Sequence, residues 1–259
     1  MEDIRPKLED RESFERVLLN YKMSPHEIEI LSEIDLVVMS GLTGGGRNTV
    51  INRLVATDIY HYIVSDTTRP PKIRDGAMER DGVNYFFRKE SDLLRELQNG
   101  EFLEAEVIHS QQVSGTSIRE LQKAHTSGKI AVCELEYGGI NNIAQAKPDT
   151  HVIGILPPTY EEWIRRFRDR EEIHEQEFVN RLHTAEKVLE NMINKSYFRI
   201  AINDDIEDCV SFVRKVVEKN EYTDEDRDYG LNVAVSILEK VRESLKIHNM
   251  TSTASTLAP

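Results

Sequence analysis

The chain has 259 residues, with 33 basic against 46 acidic side chains and a formal net charge of −13. That length suits one α/β domain with insertions or helical extensions, and 39% hydrophobic residues can build a sizeable core. The acidic balance excludes a general nucleic-acid binder, whose surface is basic, but leaves room for a local basic pocket. Two cysteines, Cys133 and Cys209, make neither a disulfide framework nor a metal-ligand spacing. They are expected as buried thiols in a reducing cytoplasm. The charged N-terminus lacks a signal segment, and no run reaches the roughly 20 apolar residues of a membrane span. The expectation is a cytoplasmic protein that partners neither membrane nor nucleic acid.

Residues 1–33 are polar and helix-prone, with Phe14, Val17, Leu18 and Tyr21 at helical spacing, and read as a helical extension. The apolar run at 36–39 predicts a strand. It feeds Gly41-Leu42-Thr43-Gly44-Gly45-Gly46-Arg47-Asn48-Thr49, and a helix over 48–56 follows. A strand over 62–65 leads into Asp66-Thr67-Thr68-Arg69-Pro70-Pro71, which the paired prolines keep out of a helix. Tyr85-Phe86-Phe87 reads as a short strand, and a helix over 91–98 stops at Asn99-Gly100. The stretch 102–108 is strand-like. Ser117 and Glu120 form a capping box that opens a helix ending near Gly128.

A strand over 130–136 precedes Tyr137-Gly138-Gly139 and a short helix. The buried strand 152–156 is closed by Pro157-Pro158. Thr159 and Glu162 make a second capping box, starting an arginine-rich helix. A longer helix carries Phe178, Leu182, Ala185, Leu189 and Ile193 on one face. The last strand, 198–202, runs into Asn203-Asp204-Asp205 and a helix over 206–219. A final amphipathic helix spans roughly 224–247. Its stripe Val233, Ile237, Val241 and Leu245 must be buried on the core or on a second copy of the chain. The tail 251–259 is small and polar, and is expected to be disordered.

Strands alternating with helices predict a mostly parallel sheet with helices on both faces. Ligands of such sheets bind at the carboxyl ends of the strands, where the glycine loop, Ser65, Glu134, Glu136 and Asn203 all fall. Gly41 and Gly46 have the spacing of a phosphate-binding loop, but Arg47 stands at its lysine position and Asn48 at its hydroxyl position. Three successive glycines after a strand let backbone N–H groups turn towards a polyphosphate, with a helix N-terminus adding its dipole. A tight strand–helix turn is the plainer reading.

Ser65, Arg69, Lys72 and Tyr85 combine a hydroxyl, two cations and a phenol, which can hold a second phosphate. Alone they read equally as a solvated loop. A carboxylate at Glu104 beside the Thr116 hydroxyl can read a guanine edge, or can simply mark an exposed edge strand. Arg165, Arg166, Arg168, Arg170 and Arg181 could surround a moving phosphoryl group, or face solvent from a helix.

Taken in order, these segments resemble the guanylate kinase family. The carriers are Gly41–Thr49, Val64–Lys72, Phe102–Glu104, Gly115–Ser117, Glu134–Glu136, Pro157–Arg181 and Asn203–Asp205. The resemblance implies an α/β P-loop parallel sheet flanked by helices, with a GMP-binding insertion, a helical lid, and N- and C-terminal helical extensions. It implies boundaries of 1–33 for the first extension and 34–220 for the kinase-like domain. Within that domain the GMP-binding region spans about 66–118 and the lid about 159–183; a C-terminal helix over 221–250 and the tail follow.

It further implies magnesium-dependent transfer of phosphate from ATP to GMP or dGMP. Gly41, Leu42, Thr43, Gly44, Gly45, Gly46, Arg47, Asn48 and Thr49 would hold ATP, with Asn203 on the adenine side. Asn48 would meet the metal. Ser65, Arg69, Lys72 and Tyr85 would hold the GMP phosphate, and Glu104, Thr116, Glu134 and Glu136 would read or flank guanine. Arg47, Arg166, Arg170 and Arg181 would stabilise the transferring group. The altered Arg47 and Asn48 sustain a second reading, a guanylate-kinase-like module that binds nucleotide or protein with weak or lost catalysis. The terminal helices offer a face for a homodimer.

Overall fold

The computed structural model describes residues 8–74, 76–108, 110–135, 137–169 and 175–256. Glu136 and Arg170 lie outside them. The chain divides into two compact units. One comprises Met1–Leu36, Asp58–Cys133 and Gly138–Thr150; the other comprises Val37–Thr57, Glu134–Tyr137 and His151–Pro259.

The extension forms two helices, α1 (Arg11–Leu19) and α2 (Pro25–Ser32). Pro25 suits the first turn of α2, where its missing N–H costs nothing, and Ser24 caps the helix by accepting from the Glu27 amide (3.2 Å). Strand β1 (Leu36–Gly41) then enters the glycine loop, and α3 (Arg47–Val55) leaves it. Next come β2 (Tyr60–Tyr62), β3 (Asp66–Thr67), β4 (Ile73–Arg74), β5 (Ala77–Met78) and β6 (Phe86–Phe87). Helix α4 (Glu90–Gln98), β7 (Phe102–Ile108), β8 (Gln112–Ser117), α5 (Ile118–Thr126), β9 (Ile130–Glu134) and α6 (Tyr137–Ala146) follow. The rest is β10 (His151–Leu156), α7 (Tyr160–Arg168), α8 (Glu175–Asn194), β11 (Phe198–Ile202), α9 (Ile206–Lys219) and α10 (Asp224–Thr256).

In the first unit β2 pairs with β9 in parallel, and a second sheet runs β6-β3-β8-β7. Helix α1 packs on α4 and β7, so Phe14, Leu93, Leu97, Phe102 and Val113 share one apolar cluster with Leu8. In the second unit β1, β10 and β11 form a parallel sheet, with β10 in the middle. The inner residues of β1 are buried without alternation, as a strand covered on both faces requires. Helices α8, α9 and α10 pack on β11.

Several expectations shift. The second strand sits at Tyr60–Tyr62 instead of 62–65, and β9 stops at Glu134. Ser117 occupies the N-cap of α5, but its hydroxyl is buried without a partner, so the first capping box does not close. The neighbouring Glu120 is instead drawn to Lys123. Thr159 does cap α7, accepting from the Glu162 amide at 3.1 Å. Helix α10 continues through Thr256, where a disordered tail is expected from 251 onward. Once a helix is nucleated each added residue costs little, so a long helix runs on through small polar residues. Of the stripe, Ile237, Val241 and Leu245 are buried within the chain and Val233 is half-buried, so core packing accounts for most of it.

Candidate active site

The glycine loop gets its shape from both ends. Gly46, the N-cap of α3, has φ +94°, and a side chain there would collide with the Asn203 amide. Only glycine fits both demands. Asn203 is buried and donates from Nδ2 to the Gly45 carbonyl (2.9 Å). Expected beside adenine, it is found bracing the loop. The loop also carries Trp163, whose indole donates to the Thr43 carbonyl (2.8 Å), and Phe167 lies against Gly44. Helix α7 of the expected lid therefore rests on the loop.

Arg47 begins α3. Its Nη2 pairs with Glu134 Oε2 (2.8 Å), its Nη1 reaches the Gly41 carbonyl (3.5 Å), and its Nε is buried with no partner. Arg181, on α8, pairs with Glu177 (2.8 Å) and extends Nη1 to the Thr43 hydroxyl (3.5 Å). Arg47 and Arg181 line one cavity of about 40 Å³ together with Ser40, Gly41, Leu42 and Thr43. Arg166 turns elsewhere: Glu162 takes its Nε (2.6 Å), and the carbonyls of Asn203 and Asp204 take its two terminal nitrogens. The Arg165 and Arg166 guanidinium groups hold the half-buried Glu162 carboxyl down to about 2. Asn48 and Thr49 are exposed on the first turn of α3.

In the first unit Arg69 is gripped by both oxygens of Glu79 (2.5 and 2.9 Å), and its guanidinium carbon lies 4.7 Å from the Tyr85 ring centre. Glu79, the largest influence, raises the Arg69 pKa above its ordinary value. The same carboxylate accepts the Lys72 amide (3.0 Å), while the Lys72 side chain is exposed. Ser65 immediately precedes β3, and its carbonyl accepts the Phe86 amide (2.9 Å). On β7 and β8, Glu104 stands opposite Thr116, whose hydroxyl donates to Glu104 Oε1 (2.9 Å).

The structure thus brings together Glu104 with Thr116, and Arg69 with Tyr85. It brings Arg47 together with Arg181. Glu134, expected near guanine, pairs with the Arg47 guanidinium. Sequence pattern does not single out Glu79 or Trp163. Glu79 lies in the longer loop between Arg69 and Tyr85, and its acidic side chain between two basic stretches is the available signal. Among the described residues no cluster of His, Cys, Asp and Glu could hold a metal ion, and no helix is long and apolar enough to cross a membrane. Cys133 and Cys209 are buried and not joined in a disulfide, and burial pushes the Cys209 thiol up to about 12.

A glycine loop between β1 and α3, at the carboxyl end of a parallel strand and edged by arginines, defines an α/β protein of the P-loop class. Comparison with known proteins narrows this. The sequence profile described as Guanylate kinase matches residues 33–220. The chain is 33% identical over 185 residues to the guanylate kinase of Corynebacterium diphtheriae, covering 70% of this chain and 93% of that one. It is 27% identical over 226 residues to guanylate kinase 1 of Oryza sativa subsp. japonica, covering 84% of this chain and 58% of the length of that relative. Among solved structures, guanylate kinase from Anaplasma phagocytophilum shares the fold at a TM-score of 0.53 and 21% identity, over 75% of this chain and 90% of that one. The chain belongs to the guanylate kinase family.

Proposed function

We propose that this chain transfers the terminal phosphoryl group of ATP to GMP or dGMP, giving ADP and GDP or dGDP. The observation that carries this reading is the pair of arginines, Arg47 and Arg181, lining one cavity at the glycine loop, with Arg47 Nε buried and unpartnered. A buried donor without an acceptor is rare, and a phosphate oxygen would satisfy it. In this reading a 5′-phosphate oxygen of GMP attacks the γ-phosphorus and the bond to the bridging oxygen of ADP breaks. Negative charge spreads over the phosphoryl oxygens as this happens, and fixed cations lower the barrier. Arg47 and Arg181 supply them, with Arg170 expected to add a third.

Arg69, Tyr85, Lys72 and Ser65 would take the GMP phosphate. Glu104 matches the N1 and N2 donors of guanine, and Thr116 holds that carboxylate in place. Asn48 offers an exposed amide oxygen, a donor that suits a hard ion such as magnesium, which keeps much of its shell as water. When bound, magnesium would neutralise charge on the transferring phosphates. Two buried cysteines that form no disulfide support a cytoplasmic site of action.

A second reading has its own observation. The Arg47–Glu134 pair already neutralises the loop's cation, as a retired loop would permit. A coupled assay of ADP release with GMP, dGMP, AMP, CMP and UMP separates the two. Transfer confined to GMP and dGMP supports the kinase. Absence of GMP-dependent ADP in magnesium or manganese overturns it.

A further inference from the structure

The N-terminal extension lies almost wholly outside the matched residues 33–220, yet it is fastened to the strand that carries Glu104. Strand β7 is the outer strand of its sheet, so one row of its backbone groups faces away from β8. At Phe102 both groups are taken by a single side chain. The Tyr21 hydroxyl donates to the Phe102 carbonyl (2.6 Å) and accepts from the Phe102 amide (2.8 Å). Two residues upstream the linker between α1 and α2 is keyed into Gly100. The Ser24 amide donates to the Gly100 carbonyl (3.1 Å), and a Cβ on Gly100, whose φ is +75°, would come within 2.5 Å of the Ser24 nitrogen. The Glu9 and Asp10 amides donate to Glu90 at the start of α4, and Phe14 is wholly buried against Leu93, Leu97 and Phe102.

This fastening sits where the strand register changes. Phe102 pairs with Ser117 and Glu104 pairs with Thr116, so Leu103 is the extra residue of a bulge. A bulge bends the strand and re-aims the side chains that follow it. Without it, Glu104 would shift out of register with Thr116. A phenol suits this double role. A phenol is protonated at neutral pH and so offers both a donor and an acceptor, and burial pushes the Tyr21 hydroxyl further up, to about 12.

We propose that Tyr21 is a positioning residue for the acceptor-base pocket: by holding both backbone groups of Phe102 it fixes the bulge that sets Glu104 opposite Thr116. The inference rests on the reading that Glu104 recognises guanine. It makes the extension part of the specificity machinery and not merely a packed-on helix.

The test uses the full chain and calorimetric affinities for GMP, IMP and ATP. IMP lacks the 2-amino group, so the GMP-over-IMP preference reports how well Glu104 is placed. Tyr21→Phe keeps the ring and removes only the hydroxyl. We expect it to weaken GMP by about fivefold and to narrow the GMP-over-IMP preference, leaving ATP affinity unchanged, as for loss of one hydrogen-bonded anchor. Leu18→Ala is the control for lost stability, because it thins the same apolar cluster without touching the hydroxyl. Equal GMP weakening in both variants, or none in Tyr21→Phe, overturns the inference. Glu104→Gln is measured alongside. If Glu104→Gln weakens GMP and Tyr21→Phe does not, this inference alone fails. If Glu104→Gln is silent, the guanine reading fails and takes this inference with it.

Discussion

The two units treat their charged side chains differently. In the first, partners hold the candidate groups in a working geometry: Thr116 steadies Glu104, and Glu79 orients Arg69 beside Tyr85. In the second, the cations are partly spoken for. Arg47 is bound to Glu134, Arg181 to Glu177, and Arg166 to Glu162 and two carbonyls. In the proposed reading a guanine edge can meet Glu104 with little change, while a monophosphate must share the Arg69 guanidinium with Glu79. A polyphosphate entering the second must compete with carboxylates for the same guanidinium groups. On this reading base recognition is preorganised, and phosphate recognition in both units includes an exchange of ion pairs.

Variants in each unit can break that contrast. With Arg47 left in place, the largest effect should come from the donor side, where Arg181→Ala is expected to lower turnover at least about tenfold with smaller changes in nucleotide affinity. Steady-state kinetics beside calorimetry checks this, and normal turnover would make the arginine a solvated surface group. Next, Glu104→Gln should weaken GMP by roughly 1–3 kcal/mol, the loss expected when a hydrogen bond to a charged group goes. Calorimetry showing wild-type GMP affinity would remove the guanine pocket.

A smaller effect belongs to Glu134. Neutralising it in Glu134→Gln should free Arg47 and tighten ATP by about two- to fivefold, the scale of a partly exposed ion pair. Should GMP weaken instead with ATP unchanged, Glu134 belongs to the acceptor side, as its place in the sequence suggests. The smallest effect is a pH dependence. The Tyr21 phenol is raised on folding, so its share of stability is complete below about 10 and is lost as pH climbs towards about 12. Thermal melts across that range should fall more steeply for wild type than for Tyr21→Phe. Parallel curves would mean the phenol is not held as described.

Much of the fold is legible in local pattern. The strands 102–108 and 198–202 and the helix 206–219 appear with the expected ends, because their alternation, apolar stripes and the Asp205 cap are local signals. Strand β8 is not legible in this way. Gln112–Ser117 is short and polar and becomes a strand by pairing with β7 and β3 on either side. Hairpin β4–β5 is hidden for the same reason. In the site, the glycine loop and the Glu104–Thr116 and Arg69–Tyr85 combinations can be read from residue type and order. Arg47 with Glu134, Arg69 with Glu79 and Tyr21 with Phe102 cannot. Each joins positions that only the folded backbone brings within hydrogen-bond reach.

The central claim is that Arg47 serves as the phosphate-holding cation of a working donor loop, despite its resting pair with Glu134. The direct measurement is GMP-dependent ADP formation by wild type and by Arg47→Ala, each shown folded by its melting curve. Wild type should give clear transfer and the variant less than about 1% of that rate, the scale of losing a charged stabiliser of the transferring group. A variant that turns over like wild type would contradict it, as would a wild type that forms no GMP-dependent ADP.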